Sequence, residues 1–559
     1  MLCNMKLLIF IVLMHLLYKH ANSSRILGIF PSPGYSQYIV GERLMGALAT
    51  RGHQVTVISE RVPSEKIENY EIIRIKTEKY ENKFDLTNWS TKNTFQIELE
   101  MFEICNFYTE ELLKLDEVQE LIHSNRTFDL VIAETFVNDA LMAFAEHFNA
   151  PLVILSTQPM NEWSAAFVGN VRLPSINPML ESLSTSRMSF LQRLRNFMIS
   201  TFETVYKELF FYGFHQKLVD KYFPNKIDLM KVIRNVELLL VYGHPLTTEP
   251  SLITSAVVEV AGFHVLPKKL PERIQAILDG ASNGAILVSL GSNIPCHKLT
   301  EEQLKVFLGV FSKLPQRVLW KCELDIPDKP KNLFNFNWLP QSDVLAHPNT
   351  IAFVTHNGLL STTEAMYHGV PMISVPVFSD QRINAARAIK LGVAEKVDFL
   401  NIKESYLLEA IQKITQNPKY MNKMKELSQM FRDQPTSPLD RAVKSVEYVL
   451  KYRPGKYFRS PAMDLYWFQL YLLDVVLFIF SVIVLVCSLM VFIIRKICFK
   501  KSQKVTLSEP FQKKQQITHL FDNAYLYSLV KPVKNVIRQC YKCQSTQLYQ
   551  IKTSADCTY

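Results

Sequence analysis

Between Asn337 and Gln381 the chain reads N-W-L-P-Q-S-D-V-L-A-H-P and then F-V-T-H-N-G-L-L-S-T-T-E-A-M-Y-H-G-V-P-M-I-S-V-P-V-F-S-D-Q. His356 follows an apolar run and Ser361 opens a helical stretch, so an imidazole, the backbone amides near Gly358 and a hydroxyl converge on a helix N-terminus. Such a place binds anions without a metal and suits a pyrophosphate. Glu364 stands three residues after Ser361, which is either a capping box or an acceptor for ribose hydroxyls. Trp338 offers a flat face for a base, or a ring for the core. No G-x-G-x-x-G follows the first strand and no Walker A sequence occurs, which weakens dinucleotide and ATP readings. Neither H-E-x-x-H nor an Asp-x-Asp pair is present, so a metal-dependent mechanism has no support in the sequence.

The elements that must hold these groups alternate. Arg25 to Phe30, a Pro/Gly turn at Pro31 to Gly34, a helix from about Tyr38 to Thr50 and a run from Val55 to Ser59 open a doubly wound parallel sheet. Asp129 to Ala133, a helix near Asn138 to Phe148, and Leu152 to Ser156 repeat the pattern. Residues 180 to 235 read as mostly helical, with apolar positions at three and four spacing. Pro267 to Pro271 is a polar, proline-bounded joint. Beyond it the alternation restarts at Ala285 to Leu290, with strands at Arg317 to Trp320, Ile351 to Thr355 and Met372 to Val375. Helices are expected at Gln381 to Leu391, Ser405 to Gln416, Tyr420 to Phe431 and Pro438 to Lys451. Two open α/β sheets in tandem turn their carboxyl-end loops toward a shared cleft, where ligands bind.

The 559 residues carry a net charge of +10, which raises a nucleic-acid reading until the charge is located. From Arg495 onward, 12 Lys/Arg face only three Asp/Glu, so the last 65 residues hold +9 of it. A nearly neutral body with a basic tail argues against a nucleic-acid groove. Glycine, at 17 residues, is too scarce for a collagen-like or elastic chain. Residues 1–23 have Lys6, an apolar run and the small-residue end Ala21-Asn22-Ser23, the pattern of a cleaved secretory signal. Val475 to Ile494 is an uncharged run long enough for one transmembrane helix. Aromatic residues precede it and Arg495, Lys496, Lys500 and Lys501 follow, which puts the tail in the cytosol and the body in the lumen. The sequons at Asn88 and Asn125 fall in that lumenal part. The mature body holds only Cys105, Cys296 and Cys322, so no disulfide framework is expected. Cys487 and Cys498 flank the span's cytosolic end, and Cys540-x-x-Cys543 lacks a second ligand pair for zinc.

The Asn337–Gln381 segment resembles the signature of the family 1 UDP-glycosyltransferases, in the membrane-bound animal group. The wording H-G-V-P-M-I and L-L-S-T-T-E-A is most similar to insect UDP-glucosyltransferases. The resemblance runs from R-G-H-Q-V-T-V-I-S near the start to the single span. It implies a GT-B fold, two Rossmann-like domains facing a cleft, plus one C-terminal transmembrane helix. The implied boundaries are 1–23 for the signal, 24–265 for an acceptor domain, 266–455 for a UDP-sugar domain, 472–494 for the span and 495–559 for the tail. The implied activity is inverting transfer of a hexose, glucose on the insect likeness, from a UDP-sugar to a small lipophilic acceptor, as in detoxification. Trp338 would then stack on uracil and Gln341 bond the nucleoside. His356, Gly358 and Ser361 would hold the phosphates with Ser292, Glu364 the ribose, and Asp380 with Gln381 the sugar. No cofactor and no metal are implied, the UDP-sugar being a co-substrate. The partners implied are that donor, the acceptor and the endoplasmic reticulum membrane through one span. Self-association stays open, and nucleic acid is not a partner.

The sequence departs from the family pattern in the first domain. In P-S-P-G-Y-S-Q-Y the family's general-base histidine is replaced by Gln37, whose carboxamide cannot take a proton near neutral pH. The carboxylate that partners that base falls at Glu134, longer than the usual Asp. The position after His356 is Asn357, whose amide either crowds or bonds a phosphate. A catalytically weak UDP-sugar- or lipophile-binding membrane protein is therefore the alternative to an active transferase.

Overall fold

The computed structural model describes residues 23–76, 92–179, 187–266, 268–292 and 294–505. Residues 1–22 of the expected signal, the Asn88 sequon and the Cys540-x-x-Cys543 pair lie outside them. The chain divides into a body that ends at Leu465 and a C-terminal unit from Tyr466 onward.

Thirteen described strands, all parallel to their neighbours, form the two sheets of the body. The first has the order β3-β2-β1-β4-β5-β6-β7, from β1 (Arg25–Phe30), β2 (Gln54–Ser59), β3 (Tyr70–Arg74), β4 (Leu130–Glu134), β5 (Leu152–Ser156), β6 (Val236–Val241) and β7 (Val257–Glu259). The second has the order β10-β9-β8-β11-β12-β13, from β8 (Ala285–Ser289), β9 (Arg317–Lys321), β10 (Leu333–Phe336), β11 (Thr350–Thr355), β12 (Met372–Ser374) and β13 (Ala394–Lys396). Central strands such as β1, β4, β5 and β8 are buried along nearly their whole length, as unbroken apolar runs require when helices cover both faces.

The helices that matter to the site are α1 (Tyr35–Thr50), α2 (Thr94–Lys114), α3 (Phe190–Tyr206), α4 (Gln341–Ala346), α5 (Leu359–His368), α6 (Asp380–Lys390) and α7 (Pro438–Tyr452). Each sheet is sandwiched between two apolar clusters. Leu27, Val131 and Phe144 lie on one face of the first sheet, and Ile26, Leu44 and Leu130 on the other. Helix α7 belongs by sequence to the second domain. Its buried residues Ala442, Val443, Val446 and Val449 nevertheless join the cluster of Ile26 and Leu44, so the chain crosses back to the first sheet after completing the second.

The strands β3, β6, β7, β10 and β13 go beyond the sequence reading; all but β6 are edge strands, short segments that pair on one side only. The helix expected near Asn138 to Phe148 is a 3₁₀ turn, Asp139–Met142, followed by a short α-helix, Ala143–His147. Cys296 and Cys322 are joined in a disulfide with Cα atoms 5.2 Å apart, one bridge among the described residues that the sparse cysteines did not single out; Cys105 is free and buried. The pair is distant in sequence and meets only because β8 and β9 are neighbours.

Among the described residues, the C-terminal unit is dominated by α8 (Leu473–Val505), in which Leu473–Ile497 is long and apolar enough to cross a bilayer.

Candidate active site

The two sheets border one cavity of about 1140 Å³. Gln37, Ser292, Trp338, Gln341, His356, Gly358, Ser361, Glu364, Asp380 and Gln381 all line it. Glu134 does not. It sits at the end of β4, 1% exposed, and its carboxylate accepts hydrogen bonds from Ser32 and Thr157, which do line the cavity. Burial pushes the Glu134 carboxyl up to about 7, against the pull of those bonds.

His356 leaves β11 and is gripped between two glycines. A Cβ on Gly291 would lie 2.6 Å from its Nε2, and one on Gly358 only 2.5 Å away. Gly291 also has φ +85°, open to glycine at no steric cost. The residue is half-buried, and desolvation with the neighbouring Lys321 charge lowers its pKa to about 4, so a neutral imidazole faces the cavity at neutral pH. Asn357 takes the left-handed φ of +61°, which an Asn tolerates. Its side chain turns into the core against Met372, 3.5 Å from the sulfur, so it neither crowds nor bonds a phosphate.

Helix α5 begins at Leu359 with Gly358 as its N-cap, one turn earlier than a Ser361 capping box would set it. Ser361 is thus in the first turn, and Gln341 at the start of α4 donates to its Oγ at 2.9 Å and to Glu364 Oε2 at 2.6 Å. The other Glu364 oxygen lies 3.2 Å from His264 Nε2, whose Nδ1 is 2.7 Å from the Tyr242 hydroxyl. Glu364 is therefore fixed from two sides, with the orientation set before any ribose arrives. Trp338 is 51% exposed, which settles against a core ring. Tyr35 meets its edge at 4.8 Å and the Lys321 ammonium lies 4.7 Å from its centroid.

At the start of α6, Asn384 donates to Asp380 at 2.8 Å, while burial raises the Asp380 carboxyl to about 6. Gln381 accepts from the Val377 and Phe378 amides through Oε1, which directs its NH₂ elsewhere. Gln37 stands in the first turn of α1, its Oε1 accepting from the Ser36 hydroxyl at 3.0 Å.

Sequence reasoning missed Lys321. It ends β9, lines the cavity, donates to the Gly291 carbonyl at 2.9 Å, and burial lowers its pKa. A lone Lys at a strand end carries no motif, and only the sheet order sets it beside Trp338 and His356. The other end of the cavity is lined by Ile97, Met101, Phe102 and Cys105 of α2 and by Met160, Trp163 and Met179. Glu98, Glu162 and Glu203 stand among them. Burial, with the other two carboxylates adding, holds the Glu203 carboxyl well above its usual range, and Arg172 pairs with Glu162 at 3.3 Å.

The family described as "UDP-glucoronosyl and UDP-glucosyl transferase" matches residues 31–510. UDP-glucosyltransferase 2 of Dactylopius coccus is 32% identical over 505 residues, 88% of this chain and 96% of that one. UDP-glucuronosyltransferase 2B7 of Homo sapiens is 30% identical over 494 residues, 83% and 91% of the two chains. Among solved structures, the calicheamicin glycosyltransferase CalG4 superposes with a TM-score of 0.55 over 77% of this chain and 99% of its own, at 18% identity, which speaks to the GT-B fold. With a family match across most of its length and a cavity between two parallel sheets, this chain belongs to the UDP-glucuronosyl and UDP-glucosyl transferases and is a glycosyltransferase of GT-B fold.

Proposed function

We propose that the chain transfers glucose from UDP-glucose, with inversion at the anomeric carbon, to a small lipophilic acceptor held among Phe102, Met160 and Trp163. The observation that carries this is the convergence of Trp338, Gln341, His356, Ser361 and Glu364 on one end of the cavity, with apolar side chains at the other. In this reading uracil stacks on Trp338, the ribose hydroxyls bond Glu364, and the sugar meets Asp380 and Gln381. As the acceptor oxygen bonds the anomeric carbon, the bond to the β-phosphate breaks and UDP leaves with the electron pair. The amides at the N-terminus of α5, the His356 imidazole, Ser292 and the Lys321 ammonium take up that charge, without a metal. Glucose is preferred because one Dactylopius coccus relative is named a UDP-glucosyltransferase. The span and the exposed Asn125 sequon support a membrane-anchored protein with a lumenal body, and the endoplasmic reticulum and a detoxifying role extend the family reading.

The acceptor's proton is the open position in the chemistry. Gln37 orients but cannot accept it, and Glu134 reaches the cavity only through Ser32 and Thr157. Ser32 is the relay that this geometry offers, passing the proton to a carboxylate whose pKa lies near neutrality. A second reading, a UDP-sugar binder of low turnover, is favoured by the same shielding of Glu134. Membranes bearing the full chain, supplied with labelled UDP-glucose or UDP-glucuronate and a mixed acceptor panel, separate the two. Labelled conjugates from UDP-glucose support the first, whereas UDP binding with no conjugate on any acceptor supports the second.

A further inference from the structure

Helix α3 is built inside out. At about 100° per residue, Phe190, Leu191, Leu194, Phe197, Met198 and Val205 fall within one arc of about 120°. All six are between 46% and 72% exposed. The opposite arc carries Asn196, Ile199, Ser200 and Glu203, and it is this mostly polar face that is buried against the body. Asn196 is tied there by bonds to Met179, Pro174 and Asn177, so the orientation is fixed by specific contacts. Arg193 and Arg195 flank the apolar arc on its two sides and Arg187 precedes it, all exposed. The patch continues onto α2, where Phe95 packs edge-on against Phe202 at 5.1 Å and Leu99 is 41% exposed.

Six large apolar side chains on one arc are more than scattered surface residues, and they require an apolar medium. The arginines on both flanks match anionic headgroups, and the same chain carries an apolar helix able to cross a bilayer, so a lipid surface is tethered to it. We infer that α3 lies in the interface of an anionic phospholipid bilayer, its apolar arc among the acyl chains and its polar face forming the cavity wall. This rests on the reading that α8 anchors the chain. Glu203, on the buried face, lines the cavity, so lipophilic acceptors reach the site along a wall that touches their reservoir.

The test uses the full chain reconstituted in phosphatidylcholine vesicles containing phosphatidylserine and a tagged phospholipid. Photoreactive benzoylphenylalanine replaces Phe197 on α3, Phe480 in the span, or the exposed Lys305 on the solvent face of helix Glu301–Ser312. Lipid adducts at positions 197 and 480 and none at 305 are expected. Leu191→Glu with Leu194→Glu should abolish the adduct at 197 and leave that at 480, while UDP binding reports that the body stays folded. An adduct at 480 with none at 197 would overturn this inference and leave the anchor standing. Loss at both positions would remove the anchor and the inference together. Crosslinks at 197 to a second copy of the chain, in place of lipid, would also overturn it.

Discussion

Replacing Gly358 with alanine should disable the phosphate site without removing any group that bonds the donor. Gly358 has φ −55° and ψ 151°, which any residue adopts, so the change adds a methyl and no backbone strain. That methyl would sit 2.5 Å from His356 Nε2 and 3.1 Å from Cε1. Unstrained contact needs about 3.5 Å, so the ring must retreat by about 1 Å. A misplacement of about 1 Å costs on the order of 10²-fold in rate, and removing one preorganised donor costs about 10²- to 10³-fold. Gly358→Ala is therefore expected to lower kcat by roughly 10²-fold, about 2.7 kcal/mol of transition-state stabilisation. The stability cost should stay at about 1 kcal/mol, since alanine is a much poorer N-cap than glycine. Initial rates of sugar transfer, read beside thermal unfolding, measure both quantities. The decisive comparison is a double-mutant cycle with His356→Ala, in which the alanine at 358 should add almost nothing once the imidazole is gone. Full additivity, or an undiminished kcat in Gly358→Ala, would refute the role given to His356.

Lys321→Met should weaken UDP binding by roughly tenfold or more, the worth of a charge-assisted contact, and calorimetric titration with UDP would detect it. Chelators should leave UDP affinity unchanged, since helix amides, imidazole and ammonium supply the countercharge; loss of binding in chelator would put a cation back in the site. Glu134→Ala should slow transfer to alcohols far more than to acidic phenols, and Gln37→His should speed transfer to alcohols; equal rates for all acceptors in Glu134→Ala would place the base elsewhere. The Glu134 carboxyl is raised to about 7 by burial, so its protonated form stabilises the fold at low pH and that contribution drains away as pH rises from about 4.5 through 7. Glu134→Gln should remove that pH-dependent loss, at most about 3 kcal/mol, in denaturant titrations at acid and alkaline pH.

The donor half of the site was legible because its groups are close in sequence. His356, Gly358, Ser361 and Glu364 share one strand-to-helix turn, so local spacing fixes their meeting. The acceptor half depends on distant contacts. Glu134 was readable as a carboxylate, but its burial behind Ser32 and Thr157 is a property of the finished sheet. Lys321 and the Cys296–Cys322 bridge became neighbours of the site only through strand order. Helix α3 shows a different limit. Its three-and-four apolar spacing identified a helix, yet the same periodicity serves a core-facing or an outward-facing stripe, and the arc buried here is the polar one.

The return of α7 to the first sheet decides where this protein can be cut to free it from its membrane. Ending the chain at Arg432, where the second sheet and its helices are complete, would strip Ala442, Val443, Val446 and Val449 from the face built on Ile26 and Leu44. The segment beyond α7 is bound to the same half: Gly455 donates its amide to Glu237, Arg459 reaches the Arg234 carbonyl, and Met463 packs at Gly169. A water-soluble form of the enzyme must therefore retain the chain through Leu465, because the end of the body is the keel of its first sheet.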